Sequence, residues 1–323
     1  MTSYIELHTK AIYDPDLITV LCPTRSRPEM LKQTIFSFDK LAIQSEKVDF
    51  WLLIDEDDTE TLALIDGGEL DGIGIKLSYH VGERPITLAD GLNKLWQVSS
   101  NGGIYVYMSD HYQMLTDGWD AELRDTFNSG PEDRCQVVQI EDTLRGSDDL
   151  ILWALSAEWV NIVGRFVPPY FPYWFIDMWI DHVAKMLDRK VGNSIFVKPI
   201  NQGPVGTTRL WHLGYWYRFF QLLLFERMSE VETILHRIHG EDLIGYEKSK
   251  VNVESHLQQY EKWAASRIDE NKIAQIESEH SREKSEPSEL YMNAFKSAHQ
   301  YFLEAQPQFE QFTQKRQGGG NAP

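Results

Sequence analysis

Three short polar clusters in this sequence each follow an apolar run: "PTRSRP" after "LITVLC", "DEDD" after "VDFWLLI", and "SDHY" after "GIYVYM". They offer a hydroxyl (Thr24), two guanidinium groups (Arg25 and Arg27) and two carboxylates at the ends of apolar runs (Asp55 and Asp110). Guanidinium groups are charge-assisted donors suited to anions. An apolar run that ends on a carboxylate aims an acid at a pocket. A metal-nucleotide site would place a second acid two residues beyond Asp110, and Tyr112 stands there. Asp110 therefore holds a cation alone, holds something else, or only ends a strand. Asp177 and Asp181, in "WFIDMWIDHVAK", lie one helical turn apart and share a face. A carboxylate facing a hydroxyl there can take its proton as a general base.

The elements that must position these groups follow from the hydrophobic pattern. The runs "LITVLC", "VDFWLLI", "IKLSYHV", "GIYVYM", "CQVVQI" and "SIFVKPI" read as strands. Between the earlier ones, "RPEMLKQTIFSFDKLAIQ", "TETLALID" and "ITLADGLNKLWQVSS" carry apolar residues at helical spacing. Alternation of this kind predicts a mostly parallel sheet covered by helices. Ligands of such sheets sit beyond the carboxyl ends of the strands, where the three polar clusters lie. After Pro168, Pro169 and Pro172, a helix is predicted to begin near Trp174. From Gly206 the chain changes character. "TRLWHLGYWYRFFQLLLFERMSEVETILHRI" reads as a long aromatic helix or a helix pair, and 246–315 is charged and helix-prone. Gly240 and Pro287 are the expected breaks, and "QGGGNAP" is expected to be disordered.

With 323 residues, 42% of them hydrophobic, the chain can bury a sizeable core. The formal net charge of −18 works against loose electrostatic binding to nucleic acid or anionic membrane. Cys22 and Cys135 match no zinc or redox spacing and read as buried free thiols, consistent with a reducing compartment. The opening "MTSYIELHTK" lacks the apolar core of a signal peptide. The most apolar helical run, broken by Arg218, falls short of the roughly 20 residues a membrane span needs. A cytoplasmic protein is expected.

No G-x-x-x-x-G-K-[ST] phosphate loop, G-x-G-x-x-G fingerprint, G-x-S-x-G elbow or H-E-x-x-H motif is present. What remains resembles the nucleotide-sugar glycosyltransferases of the GT-A fold, specifically family 2. "ITVLCPTRSRPEMLKQTIFSF" is similar to that family's opening strand, Pro-Thr turn and first helix. "VDFWLLIDEDDTET" resembles its second strand, "ITLADGLNKLW" the helix carrying a recurrent Asn, and "GIYVYMSDHYQMLTDGWD" the acidic motif with its Gly-Trp. "YFPYWFIDMWIDHVAKMLDR" resembles the acceptor-side segment. The resemblance spans roughly 17–201 and implies an α/β fold of GT-A type, a mostly parallel sheet flanked by helices, with a C-terminal helical extension. The implied organisation is a catalytic domain over 1–205, an aromatic helical segment over 206–245, a charged extension over 246–315 and a tail over 316–323. The extension is expected to pack on the domain or on a second subunit, a candidate homo-oligomer contact.

The resemblance also implies roles. Pro23 and Thr24 would hold the nucleoside and Asp55 would accept from the N–H of a uracil-like base, leaving Asp57 or Asp58 to cap the next helix. Arg25, Arg27 and Arg84 of the "GERP" loop are the candidate diphosphate ligands. Asn93 and Asp110 would complete the donor site. Asp177 is the implied base of an inverting displacement. Trp174 and Asp181 face the acceptor side, although Asp181 also has Lys185 one turn on as an ion-pair partner. His182 invites a metal reading, His236 and His239 read as cationic side chains near a helix end, and His212 reads as either core or site. The donor would be a nucleoside-diphosphate sugar, uridine-linked; the sequence leaves the acceptor open among glycan, protein, lipid-linked sugar and modified base, the last disfavoured by net charge.

The metal position departs from the family pattern. Aligned on Gly118 and Trp119, the acidic triplet falls on Asp110, His111 and Tyr112, and a neutral phenol is a poor ligand for a hard cation. His111 could substitute in part, but alternation along an extended chain would turn it to the opposite face. Asn201 or Gln202 stands where a ligating His is expected. Mn2+ or Mg2+ is accordingly expected to bind weakly at Asp110 and His111, or to be dispensable. Two rivals differ in class: a nucleotidyltransferase, which would want a glycine- and lysine-rich loop where "PTRSRP" stands, and a degenerate transferase kept as a nucleotide-sugar binding module.

Overall fold

The computed structural model describes residues 12–144, 150–200, 212–267, 271 and 289–318. In chain order the elements are β1 (Asp14–Thr24), α1 (Pro28–Leu41), β2 (Val48–Asp55), α2 (Thr59–Asp66), β3 (Lys76–Gly82), α3 (Leu88–Val98), β4 (Gly102–Tyr107), β5 (Tyr112–Met114) and α4 (Trp119–Asn128). Then follow β6 (Val137–Asp142), β7 (Leu152–Ser156), α5 (Ala157–Val163), α6 (Ile176–Met186), β8 (Lys190–Val191) and β9 (Phe196–Pro199). The C-terminal helices are α7 (Leu213–Leu222), α8 (Leu224–His239), α9 (Leu243–Arg267) and α10 (Glu289–Gly318). Asn201, Gln202, the boundary at 205/206, Pro287 and 319–323 lie outside the described residues.

Among the described residues nine strands form one curled sheet in the order β3-β2-β1-β4-β7-β6-β9-β5, with β8 beside β6. The first four are parallel, as the alternation predicts. β7 then runs antiparallel to both β4 and β6. "LWALS", a buried continuous run, was not among the predicted strands. It reverses the strand direction within the sheet, which parallel alternation does not foretell.

Side chains of the central strands alternate between two cores, one on each face. Ile18, Val20 and Cys22 of β1, with Phe50, Leu52 and Ile54 of β2, pack against Leu31, Ile35 and Phe38 of α1 and Trp119 of α4. Leu21, Leu53 and Tyr105 point the other way, toward Leu92, Leu95 and Trp96 of α3. That second core continues through α5 and α6 into the C-terminal helices. Val253, Leu257 and Tyr260 of α9 and Tyr291, Ala298 and Ala305 of α10 belong to it. The aromatic run resolves as the helix pair α7 and α8. The extension packs on the sheet domain, and its apolar residues belong to the same core as those of α3, α5 and α6.

At the centre of this core Arg227 of α8 is fully buried. Its guanidinium lies 3.8 Å over Phe220 and donates to His182 Nδ1 at 3.0 Å, to the Phe220 carbonyl at 2.6 Å and to the Tyr260 hydroxyl at 3.1 Å. These bonds join α8 to α6, α7 and α9. Burial pushes Arg227 down to about 10, and burial with the Arg227 charge holds the His182 imidazole well below its usual range. His212 is exposed at the N-cap of α7, with Nδ1 3.2 Å from the Tyr291 hydroxyl and its ring packed on Phe295. No helix among the described residues is long and apolar enough to cross a membrane.

Candidate active site

The polar clusters meet at the carboxyl ends of β1, β2 and β4. Between Thr24 and the start of α1 the chain turns through Ser26 in the left-handed region, at φ 52°. This sharp turn sends Arg25 and Arg27 to different carboxylates. Arg27 Nη1 donates to Asp110 Oδ1 at 3.1 Å, and the Thr24 hydroxyl donates to Asp110 Oδ2 at 3.0 Å. Arg25 forks onto Asp57 at 2.5 and 2.8 Å and reaches Asp55 Oδ2 at 2.6 Å. Arg84 Nε stands 3.8 Å from the same Asp55 oxygen. The bonds to Asp57 and Asp55 outweigh desolvation and hold the Arg25 pKa above its ordinary value.

Asp58 takes the capping role expected of one of the two later acids. It accepts from Thr61 N at 3.2 Å and also from Ser26 N at 2.8 Å, so the cap of α2 fixes the arginine turn. Asp55 is left facing the arginines.

Asp110 is almost fully buried. Burial would push its carboxyl up, but the hydrogen bond with His111, the Arg27 charge and the Thr24 hydroxyl together hold it below the ordinary carboxylate range. Its charge, after burial, helps push the neighbouring Cys22 thiol well up. His111 does not turn to the opposite face. Asp110 and His111 lie in the turn between β4 and β5, where strand alternation does not apply. The ring nitrogen Nδ1 is 3.4 Å from Asp110 Oδ1 and 2.8 Å from Ser109 Oγ.

Tyr112 serves a different purpose from the acid it replaces. It begins β5, packs in the core beneath the site, and donates its hydroxyl to the buried Asp142 Oδ2 at 3.0 Å. A divalent ion is the group this fold implies, and the described residues around Asp110 do not form a ligand set for one. Among the described residues no three His, Cys, Asp or Glu side chains come together as a ligand set. Both oxygens of Asp110 are already held, one of them by a guanidinium.

Asn93 is turned toward the chain rather than the strand ends. Its Oδ1 accepts from Phe166 N at 2.9 Å and Val167 N at 3.0 Å, and its Nδ2 donates to the Val167 carbonyl at 3.0 Å. This clamp fixes the segment leading to α6. A second tie comes from Leu88 N, which donates to the Pro172 carbonyl at 2.8 Å. The loop from Arg84 to Leu88 thus runs from Asp55 to the approach of α6. That helix begins at Ile176, two residues later than predicted, because Phe175 takes a left-handed conformation at φ 69° as its N-cap. Asp177 sits in the first turn and accepts from Met178 N at 2.9 Å. Trp174, 39% exposed, precedes it on the surface. Asp181 is paired with both Lys185 and Lys190 at 2.6 Å, an ion-pair position.

Ser26, Asp142 and Arg227 carry roles that sequence reasoning missed. A Ser flanked by two arginines in a Pro-bounded turn was the available signal for the first. Nothing local marks the other two.

No family model matches the chain, and no curated protein matches it. Solved structures do. A mannosyltransferase from Pyrobaculum calidifontis, in complex with GDP-Man and Mn2+, is 12% identical with a TM-score of 0.52, over 92% of this chain and 89% of that one. GalNAc-T7 with UDP, GalNAc and Mn2+ is 13% identical with a TM-score of 0.50, over 79% of this chain and 58% of that one. At such identities the likeness is one of fold. The chain has the GT-A fold, and these neighbours are glycosyltransferases.

Proposed function

We propose that this chain is a glycosyltransferase that moves a sugar from a nucleoside-diphosphate donor, uridine-linked, to an acceptor hydroxyl with inversion. The observation that carries the reading is the convergence, on the strand ends of a GT-A sheet, of Thr24, Arg27 and Asp110 with Arg25, Arg84 and Asp55. A nucleotide sugar needs its base and ribose fixed, its diphosphate neutralised and its anomeric carbon presented. Pro23, Thr24 and Asp55 suit the nucleoside. Asp110, held ionised, suits accepting from a ribose hydroxyl, and the diphosphate falls to the guanidinium groups. Asn93 contributes indirectly, by clamping the segment that leads to Asp177. Within the fold, the order of the five segments favours family 2, and two buried thiols suit a cytoplasmic setting.

In the reaction, Asp177 takes the proton of the acceptor hydroxyl as that oxygen attacks the anomeric carbon. The bond from that carbon to the diphosphate oxygen breaks on the opposite face, and its electron pair leaves on the nucleoside diphosphate. Trp174 offers a surface on which an acceptor ring can stack. The negative charge developing on the diphosphate requires cationic neighbours.

A thermal-shift screen of UDP, GDP and their sugar conjugates tests the reading, because a ligand of the native state raises the melting temperature by mass action. A shift with one uridine nucleotide, followed by slow donor hydrolysis without acceptor, is expected. Tight binding without turnover would instead mark a binding module, and neither binding nor turnover would sink the proposal.

A further inference from the structure

The two arginines of the β1 turn are not equivalent. Arg25 is consumed by its own surroundings, forked onto Asp57 and bonded to Asp55. Arg27 makes one side-chain bond, to Asp110 Oδ1. Its remaining guanidinium N–H groups have no protein partner among the described residues, and its side chain is 23% exposed against 5% for Asp110. The guanidinium therefore covers the buried carboxylate and presents spare donors to solvent at the mouth of the site. A divalent cation held by Asp110 would have to compete with this guanidinium for the same carboxylate oxygen.

We infer that Arg27 is a resident cation seated in the metal's place against Asp110, and that a donor diphosphate binds this chain on Arg27 without a divalent ion. The inference rests on the nucleotide-sugar reading above. It also explains the departure of the acidic motif: with a guanidinium over Asp110, a further carboxylate at position 112 has no cation to ligate, and Tyr112 is free to serve the core. Geometry fits the substitution. A guanidinium can bond a carboxylate on one edge and phosphate oxygens on another. The seat is set by one side chain, so removing it uncovers Asp110 with His111 beside it, one carboxylate and one imidazole 3.4 Å apart.

The test is nucleotide affinity by calorimetry, with UDP and GDP as probes, in EDTA and in Mn2+, for wild type, Arg27→Ala and Arg27→Lys. Wild type should bind its nucleotide equally in the two conditions. Arg27→Ala should lose about 10- to 100-fold in EDTA, the loss of charge-assisted bonds, and recover part of it in Mn2+. Arg27→Lys, which keeps a point charge, should stay metal-independent with a smaller loss. Mn2+ alone should raise the melting midpoint of Arg27→Ala and leave that of wild type unchanged. The apo midpoints and circular dichroism report whether each variant folds.

Wild-type binding that needs Mn2+ overturns the inference and leaves the transferase reading standing. An Arg27→Ala variant that binds as wild type does in EDTA, or gains nothing from Mn2+, also overturns it. Absence of nucleotide binding by wild type in both conditions overturns the transferase reading and the inference together.

Discussion

The hydroxyl of Tyr112 donates to Asp142 Oδ2 at 3.0 Å, tying the first residue of β5 to the last residue of β6 beneath the Asp110 turn. The other Asp142 oxygen accepts from Leu144 N at 2.8 Å. Both side chains are buried, so the bond cannot be replaced by water. Tyr112→Phe should cost about 1–3 kcal/mol of stability in denaturant unfolding, the penalty for a buried acceptor left unmade. Tyr112→Asp, which restores the acid of the family pattern, should cost more, because it sets a second carboxylate against Asp142. A Tyr112→Asp protein that gained Mn2+ affinity without losing stability would show that position 112 faces the site after all.

Asp177→Asn should reduce transfer by about 100- to 10,000-fold, the usual range for loss of a general base. Nucleotide affinity should stay near wild type, because the donor contacts lie on β1, β2 and β4. Steady-state kinetics beside calorimetry separates the two quantities. Wild-type turnover in the variant would remove Asp177 from the mechanism.

Ser26 carries the left-handed turn that splits Arg25 from Arg27, and a non-glycine residue there costs about 1–2 kcal/mol. Ser26→Gly should leave stability unchanged or slightly raised, relief of strain being offset by a more flexible unfolded chain. Ser26→Val should lower stability and, by moving both guanidinium groups, weaken nucleotide binding. The comparison needs unfolding curves and UDP titrations of the two variants. Equal affinity in Ser26→Val would show that the turn does not position the arginines.

The strand ends were legible because each is written locally: an apolar run, then charge. That Asp57 or Asp58 would cap α2, and that the aromatic run would be helical, were legible for the same reason. What was lost depends on distant partners. β5 is only Tyr112–Met114, too short to show a period, and the all-buried run of β7 carries no mark of its antiparallel direction. Asn93 signalled a buried polar role as a poor helix former, but its partners, Phe166 and Val167, lie far along the chain. Arg227 stands in a helix among Glu and Met, where an arginine reads as solvated. Its burial exists only because Phe220, Trp179 and Tyr260 arrive from other elements.

The same cluster gives the fold a pH dependence. His182 is held neutral in the native state, its imidazole well below the ordinary value through burial and the Arg227 charge. Below the ordinary histidine pKa of about 6.5 the unfolded chain binds a proton that the native chain refuses. Stability from this residue is therefore full above that pH and falls as the pH drops, by at most about 1.4 kcal/mol per unit. His80, also lowered by burial, adds in the same direction. Urea unfolding of wild type and His182→Gln from pH 7.5 to 5 should show a shallower decline in the variant. Parallel declines would mean that His182 titrates normally.

The two cores close at different points along the chain. The one beneath α1 and α4 uses residues from Ile18 to Val197, whereas the one that packs α6, the helix bearing Asp177, extends to Ala305 of α10. On the ribosome, the first can assemble while the C-terminal helices are still being made. The second must wait for α9 and α10, and until then Trp179, Phe220 and Arg227 lack them as cover. Nascent chains should thus acquire nucleotide binding before transfer activity, and the interval between them is the window in which a chaperone would engage the exposed aromatic surface.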